Sequence, residues 1–382
     1  MKKVLPLLFF LLSISGFLWG QERKILAFNG YVSCIPGVMF DSLKGDYHFQ
    51  NLVHNRLNFK VFANDHLNFG LEIRNRLYVG NTVSSIPGFA DLIGNDQGLV
   101  KLSWNLADGN STLLNSSIDR YWADFSSGKF EVRIGRQRIN WGQTLVWNPN
   151  DIFNPYSVFD FDYIERPGCD AVRLQYFTSA SSAAEVAVKG DAQGKLTTAF
   201  LYRFNKWGYD IQALAGYYRS SDLVAGAGWS GSVGKASFRG EATWFRPVGN
   251  YSGMKENITA TAGFDRIFTD NSMVQAQVMY CNDPLDLTNF NTLYSGNLSV
   301  KELAFSKFSA FVQGTWEVSP LVKISLSGMA MPDIRGWYVG PSADWSLASN
   351  LDLSLIWQYF RFKPGGVRAV NNLGFLRLKY SF

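Results

Sequence analysis

Charge is scarce in this chain. Asp, Glu, Lys and Arg make up only 18% of its 382 residues, and the net charge of +5 contains no basic run. A nucleic-acid partner is therefore not expected. Histidine is scarcer still: His48, His54 and His66 are the only three. No serine stands in a nucleophile signature near them, so the pattern does not describe an enzyme built on an activated hydroxyl. The cysteines, Cys34, Cys169 and Cys281, are an odd set at wide spacing, which is neither a disulfide framework nor a zinc pattern. No His/Asp/Glu cluster has metal-ligand spacing. The Asp160/Asp162 pair lacks the loop glycine and closing glutamate of a calcium loop, so no metal or other cofactor is expected. Beyond the N-terminus no stretch reaches the roughly 18 consecutive apolar residues that mark a membrane helix.

Aromatics and glycine are plentiful: aromatics are 15% of the chain and glycine accounts for 35 residues. At the N-terminus, Lys2-Lys3 precede an apolar run from Val4 to Leu12, then small residues and Gly20 before Gln21-Glu22-Arg23-Lys24. This is the layout of a secretory signal peptide over residues 1–20, leaving 21–382 as a single domain.

The mature sequence alternates with a period of two. Phe69, Leu71, Ile73 and Leu77 alternate with Asn68, Glu72, Arg74 and Arg76, while Val172, Leu174 and Tyr176 oppose Arg173 and Gln175. Such strands are apolar on one side and wet on the other. Eighteen candidate strands follow, with sixteen as the alternative count. Every second connection is short, such as Asn64-Asp65 or Ser126-Ser127-Gly128, and the long ones (34–49, 80–117, 139–168, 246–257 and 282–303) fall on the opposite side. Short turns at one rim and long loops at the other predict an all-β, transmembrane, antiparallel up-and-down barrel, with long extracellular loops at 80–117 and 139–168. A barrel of that size leaves an aqueous lumen unless something fills it. The expected surroundings are outer-membrane lipid and lipopolysaccharide, with a small-molecule solute inside.

The last strand ends Leu376-Arg377-Leu378-Lys379-Tyr380-Ser381-Phe382. It resembles the terminal strand of Gram-negative outer-membrane barrels, which implies that the barrel-assembly machinery reads Phe382. On the predicted wet faces stand Arg56, Arg74, Arg76, Arg120, Arg133, Arg136, Arg138, Arg173 and Arg239, against Glu72, Asp124, Glu131 and Glu241. Arginines around a pore favour anions; paired with carboxylates they instead knit neighbouring strands together. Both readings stay open at this point.

The 139–168 connection is long, irregular and aromatic, and connections of that kind are usually functional. Folded into the lumen, its acids Asp151, Asp160, Asp162 and Glu165 would face the arginines of the wall. Trp141, Trp147 and Arg166 would complete a constriction. Left outside, the same segment would form an aromatic cap at the rim. Gly135-Arg136-Gln137-Arg138-Ile139-Asn140-Trp141-Gly142, then Asn148-Pro149-Asn150-Asp151 and Asn154-Pro155, resembles a segment of outer-membrane barrels related to alginate-export proteins. That resemblance covers about 35 residues and implies a conduit for anionic polysaccharide with an arginine-rich lumen. This chain departs from the pattern in lacking a dense arginine cluster. The expectation is an outer-membrane channel or export conduit for small or anionic solutes, anionic saccharides included. The alternative is a non-conducting barrel serving surface assembly, and the subunit number is open.

Overall fold

A computed structural model describes residues 25–156, 165–248, 255–285, 299–363, 366 and 368–382. The expected signal peptide lies outside the described residues, as do Asp160 and Asp162. The strands in chain order are β1 (Leu26–Phe40), β2 (Tyr47–Phe62), β3 (Leu67–Val79), β4 (Ser103–Gly109), β5 (Thr112–Ser127), β6 (Phe130–Gln137), β7 (Cys169–Ser179), β8 (Ser182–Gly190), β9 (Leu196–Lys206) and β10 (Tyr209–Tyr218). They continue as β11 (Asp222–Val233), β12 (Ala236–Pro247), β13 (Asn257–Ile267), β14 (Met273–Cys281), β15 (Phe308–Ser319), β16 (Val322–Met331), β17 (Gly336–Ala348), β18 (Leu351–Phe362) and β19 (Ala369–Ser381).

All pairings are antiparallel and, apart from the β1–β19 closure, between sequence neighbours with one detour: β3 pairs with β5 along its length, and β4 is a short arm on the upper part of β5. Setting β4 aside, eighteen of the nineteen strands form the wall. β1 pairs with both β2 and β19, and Gly30 and Phe382 exchange backbone hydrogen bonds of 2.9 Å, so the sheet has no free edge. Closure removes the unpaired N–H and C=O groups that an open sheet would expose to lipid. The outer face is apolar, with Phe69, Leu71, Val172, Leu174, Val274 and Val278 among its exposed side chains.

The rim with short turns is made by tight hairpins. Between β9 and β10, Trp207 and Gly208 are both left-handed (φ 57° and 77°), the two-residue turn whose twist matches its strands. Two connections are shorter than the sequence pattern suggests. β1 runs on to Phe40 and β2 starts at Tyr47, although the first of these extensions contains Pro36. Its missing N–H costs nothing because the β1–β19 register skips from Cys34 to Gly37. In the 80–117 connection, β4 and the start of β5 escape the period-two reading. Asn115, Ser117 and Asp119 on the inner side alternate there with a mixed outer row of Leu114, Ser116 and Ile118, so apolar contrast is weak.

The hydrophobic core lies inside the barrel, between the wall and the loops that fold into it. Residues 139–153 and 300–305 pack against inward side chains such as Leu201, Phe245, Phe311 and Phe360. Two short helices, Asn81–Ser85 and Phe89–Gly94, place Val83 and Phe89 on Ile35, Leu52, Tyr78 and Leu113.

Candidate functional site: the loop that crosses the lumen

β6 and β7 are low on the loop side, ending at Gln137 and resuming at Cys169. Just before that end, Gly135 takes φ 117°, where a side chain would collide with the Tyr121 carbonyl. From there the chain turns inward. Asn154 ties the loop's two ends together, accepting from Ile139 N (2.9 Å) and donating to Pro167 O (3.0 Å).

The outbound limb is laid along successive strands of the wall. Trp141 Nε1 donates to Glu185 of β8 (2.6 Å), and Gln212 of β10 donates to Trp141 O (2.6 Å). On β12, Glu241 accepts from the backbone amides of Gln143, Thr144 (2.7 Å) and Asn150 (2.9 Å). On β14, Gln277 accepts from Val146 N (2.9 Å) and donates to Trp147 O (3.1 Å). Trp147 then meets Phe311 of β15 edge-on at 6.4 Å. Asn150 reaches β11, donating to Ala227 O (3.0 Å), and accepts from Thr243 Oγ1 (2.7 Å). The approach is close because β11 carries Gly226 and Gly228 on the contact side; a Cβ at Gly226 would lie 2.5 Å from Asn150 Oδ1. Ile139, Trp141, Ile152 and Phe153 are at most 1% exposed, so this limb is anchored and dry.

The return limb meets the opposite wall. Tyr31 of β1 donates to Glu165 Oε2 (3.2 Å), and Arg56 of β2 stands 4.0 Å from the same carboxylate. Arg120 of β5 donates to the carbonyls of Glu165 and Arg166. Between the limbs the Tyr156 ring lies 3.7 Å from the Arg166 guanidinium and 5.7 Å from that of Arg138. Asn148 donates to Tyr156 Oη (3.0 Å).

The wall arginines are matched by acids. Arg56, fully buried, holds Asp119 and Glu72 at 2.5 Å each, and Arg74 reaches Asp119 at 3.2 Å. Arg120 lies 3.5 Å from Glu72, Arg133 2.7 Å from Asp124, and Arg239 2.9 Å from Asp265. Arg173 pairs with Glu131. Arg76 bonds Ile93 O (3.0 Å) and Asn115 Oδ1 (2.9 Å), fixing the short helices over the lumen.

Arg136 requires a correction, because it does not line the lumen. It stands opposite Asp170 on the outward side of β6–β7, in the same rows as the exposed Ile134 and Val172. There it bonds Asp170 (2.7 Å), Asp96 (2.8 Å) and Val100 O (2.6 Å), and so pins residues 96–100 onto the low part of the wall.

The sequence points to the arginines and to the aromatic loop. Glu241 is legible there only as a counter-charge, and Gln212, Gln277, Asn150 and Asn154 carry no signal beyond inward position or an Asn-Pro step. His54 is buried beside Tyr31 (3.5 Å), and the His66 ring lies 2.8 Å from Ser126 O at the short-turn rim.

The architecture is that of a closed, eighteen-stranded, integral outer-membrane β-barrel with an internal loop. Among solved structures, the chain is similar to the outer-membrane protein OpdK of Pseudomonas aeruginosa (11% identity, 93% of this chain and 98% of that one, TM-score 0.61). It is also similar to OccK2 (OpdF) of the same organism (11%, 94% and 98%, TM-score 0.60) and to OpdK solved with vanillate (11%, 93% and 98%, TM-score 0.58). At that identity the likeness is one of fold. No family model matches the chain, and no curated protein does.

Proposed function

We propose that the protein is a porin-like outer-membrane channel for small solutes, with a preference for anionic ones. The observation that carries this reading is the loop crossing the lumen between two sets of anchors, Glu241 and Gln277 on one wall and Arg56, Tyr31 and Arg120 on the other. Held at both sides, such a loop narrows a barrel of this size without closing the wall. Solute selection would rest on Arg138 and Lys189 beside the loop more than on the paired arginines of the wall, whose fields are largely cancelled by adjacent carboxylates. The vanillate of the OpdK structure is a small aromatic carboxylate, a chemistry that a Tyr156–arginine surface suits. Phe382, at the β1–β19 seam, would be the residue read by the assembly machinery.

A second reading has its own support. The outbound limb is packed as tightly as a protein core, which favours a barrel that does not conduct and serves surface assembly. Planar-bilayer recording separates the two. Stepwise currents with anion preference, reduced by small carboxylates or uronates, are expected of the channel; a well-folded barrel that stays electrically silent would overturn it.

A further inference from the structure

The centre of the crossing loop buries a carboxylate that its surroundings only half neutralise. Asp151 is 0% exposed, and among the described residues neither oxygen has a hydrogen-bond partner of ordinary geometry. The Arg138 guanidinium stops 3.9 Å away. A buried carboxylate normally collects several donors or loses its charge. The donors here are engaged elsewhere: Asp151's own amide goes to Asn148 O, and Glu241 takes the amides of Gln143, Thr144 and Asn150.

Among the described residues, the charged groups that act on Asp151 come from the loop and from two strands of the wall. Arg138 comes from the loop's entrance, Glu241 from β12 and Lys189 from β8, whose ammonium donates to Phe153 O at 2.7 Å. Tyr156 of the loop and Cys169 of β7 lie beside it as well. Burial and then Glu241 favour the neutral acid, while Arg138, the Trp141 amide and Lys189 favour the ion. Burial wins, pushing the Asp151 carboxyl up to about 7.

On its other side Arg138 borders the Tyr156–Arg166 stack and keeps 23% of its side chain exposed. The state of Asp151 therefore decides whether the guanidinium at the constriction is compensated. We infer that Asp151 is the specificity-setting residue of the channel: protonated, it leaves Arg138 uncompensated and the constriction attracts small anions; ionised, it pairs with Arg138 and that preference is lost. This rests on the channel reading above. The same proton also supports docking. A carboxyl whose value is raised in the docked loop favours docking at low pH, and that support declines as pH rises from the ordinary carboxylate range to about 7.

The test is the reversal potential of the full-length barrel in planar bilayers under a potassium chloride gradient, at about pH 5 and about pH 9. Wild type is expected to be several-fold more anion-preferring at the lower pH. Asp151→Asn should keep that preference at both, and Arg138→Gln should lack it at both. A pH dependence that survives in Asp151→Asn would overturn the inference, as would a selectivity that ignores pH in wild type. A folded barrel without current would refute the channel reading separately. In that case infrared difference spectra of the folded protein still decide the proton: a carboxylic-acid band absent from Asp151→Asn and titrating near 7 is expected, and a midpoint in the ordinary carboxylate range refutes the inference.

Discussion

On the β2–β7 side of the lumen, guanidinium and carboxylate groups meet one another: Arg56 with Asp119 and Glu72, Arg133 with Asp124, Arg173 with Glu131. On the β8–β15 side, the groups that meet the loop are Glu185, Gln212, Thr243 and Gln277, with Glu241 taking backbone amides. The first wall spends most of its polar capacity on itself. The second directs its polar groups at an irregular backbone that would otherwise be buried without partners. Ion pairs thus stiffen one wall, while carboxylates, amides and hydroxyls that face the loop hold it in place on the other. The density of arginine in a lumen is therefore a poor guide to where selection happens; unmatched charge is the better one.

Substitutions can break this contrast. The largest effect is expected at Glu241. Glu241→Ala removes the acceptor of three loop amides, at roughly 1–3 kcal/mol for each buried donor left unsatisfied. The limb should then undock while the wall stays closed, giving a larger single-channel conductance and protease cleavage within 139–156. An unchanged conductance would mean that the limb is not held from β12. Next comes Arg56→Met, which removes the partner shared by Asp119 and Glu72, leaves them with Arg74 and Arg120 alone, and should lower unfolding stability in detergent by ~3 kcal/mol. A drop below ~1 kcal/mol would place Arg56 among exposed pairs instead. Gln277→Leu should act more weakly, at about 1–3 kcal/mol, through loss of the two hydrogen bonds to Val146 and Trp147; channel noise from a loosened loop tip is its readout. Arg133→Ala should matter least for stability, under about 1 kcal/mol, because that pair is partly exposed. A large effect there would erase the difference between the core and rim of the charged wall.

Much of the fold is legible in the sequence because lipid on one side and water on the other force a strict period of two. Phe69, Leu71 and Ile73 against Glu72 and Arg74 can be read without coordinates. Legibility fails where that contrast fails: at Thr112–Ser117, whose alternation is blunted by Ser and Asn, and at β4, which extends the wall beside the upper part of β5. For the site, Trp141, Trp147 and Glu165 stand out by type and position, and the structure brings each to an opposing wall. Arg136 misleads by its charge, since the period of two that turns Val132 and Ile134 outward turns Arg136 outward with them. Gln212 and Gln277 are silent because a single inward glutamine resembles any other lumen residue. Gly226 and Gly228 hold the one overlooked clue, a gap in side-chain size on one strand where another backbone must pass.

The low edge at β6–β7 has a consequence for how the wall is completed. Sending the chain inward at Arg138 leaves a gap, and it is filled from earlier sequence: Ser103–Gly109 pair with Thr112–Ser117, while residues 96–100 bond Arg136 and Asp170 and bridge from Gly98 to Asp191. Leu99, Val100, Trp104 and Leu106 face outward from this patch. Its local half can zip up as soon as β5 is made, but its far half has no partner until β8 and its following turn are in place. By the ordinary link between contact separation and folding order, the patch closes late. Until it does, the route by which the loop enters the lumen is also a side door through the wall, and that door is sealed by Arg136 held between two aspartates together with the backbone contacts of residues 97–100.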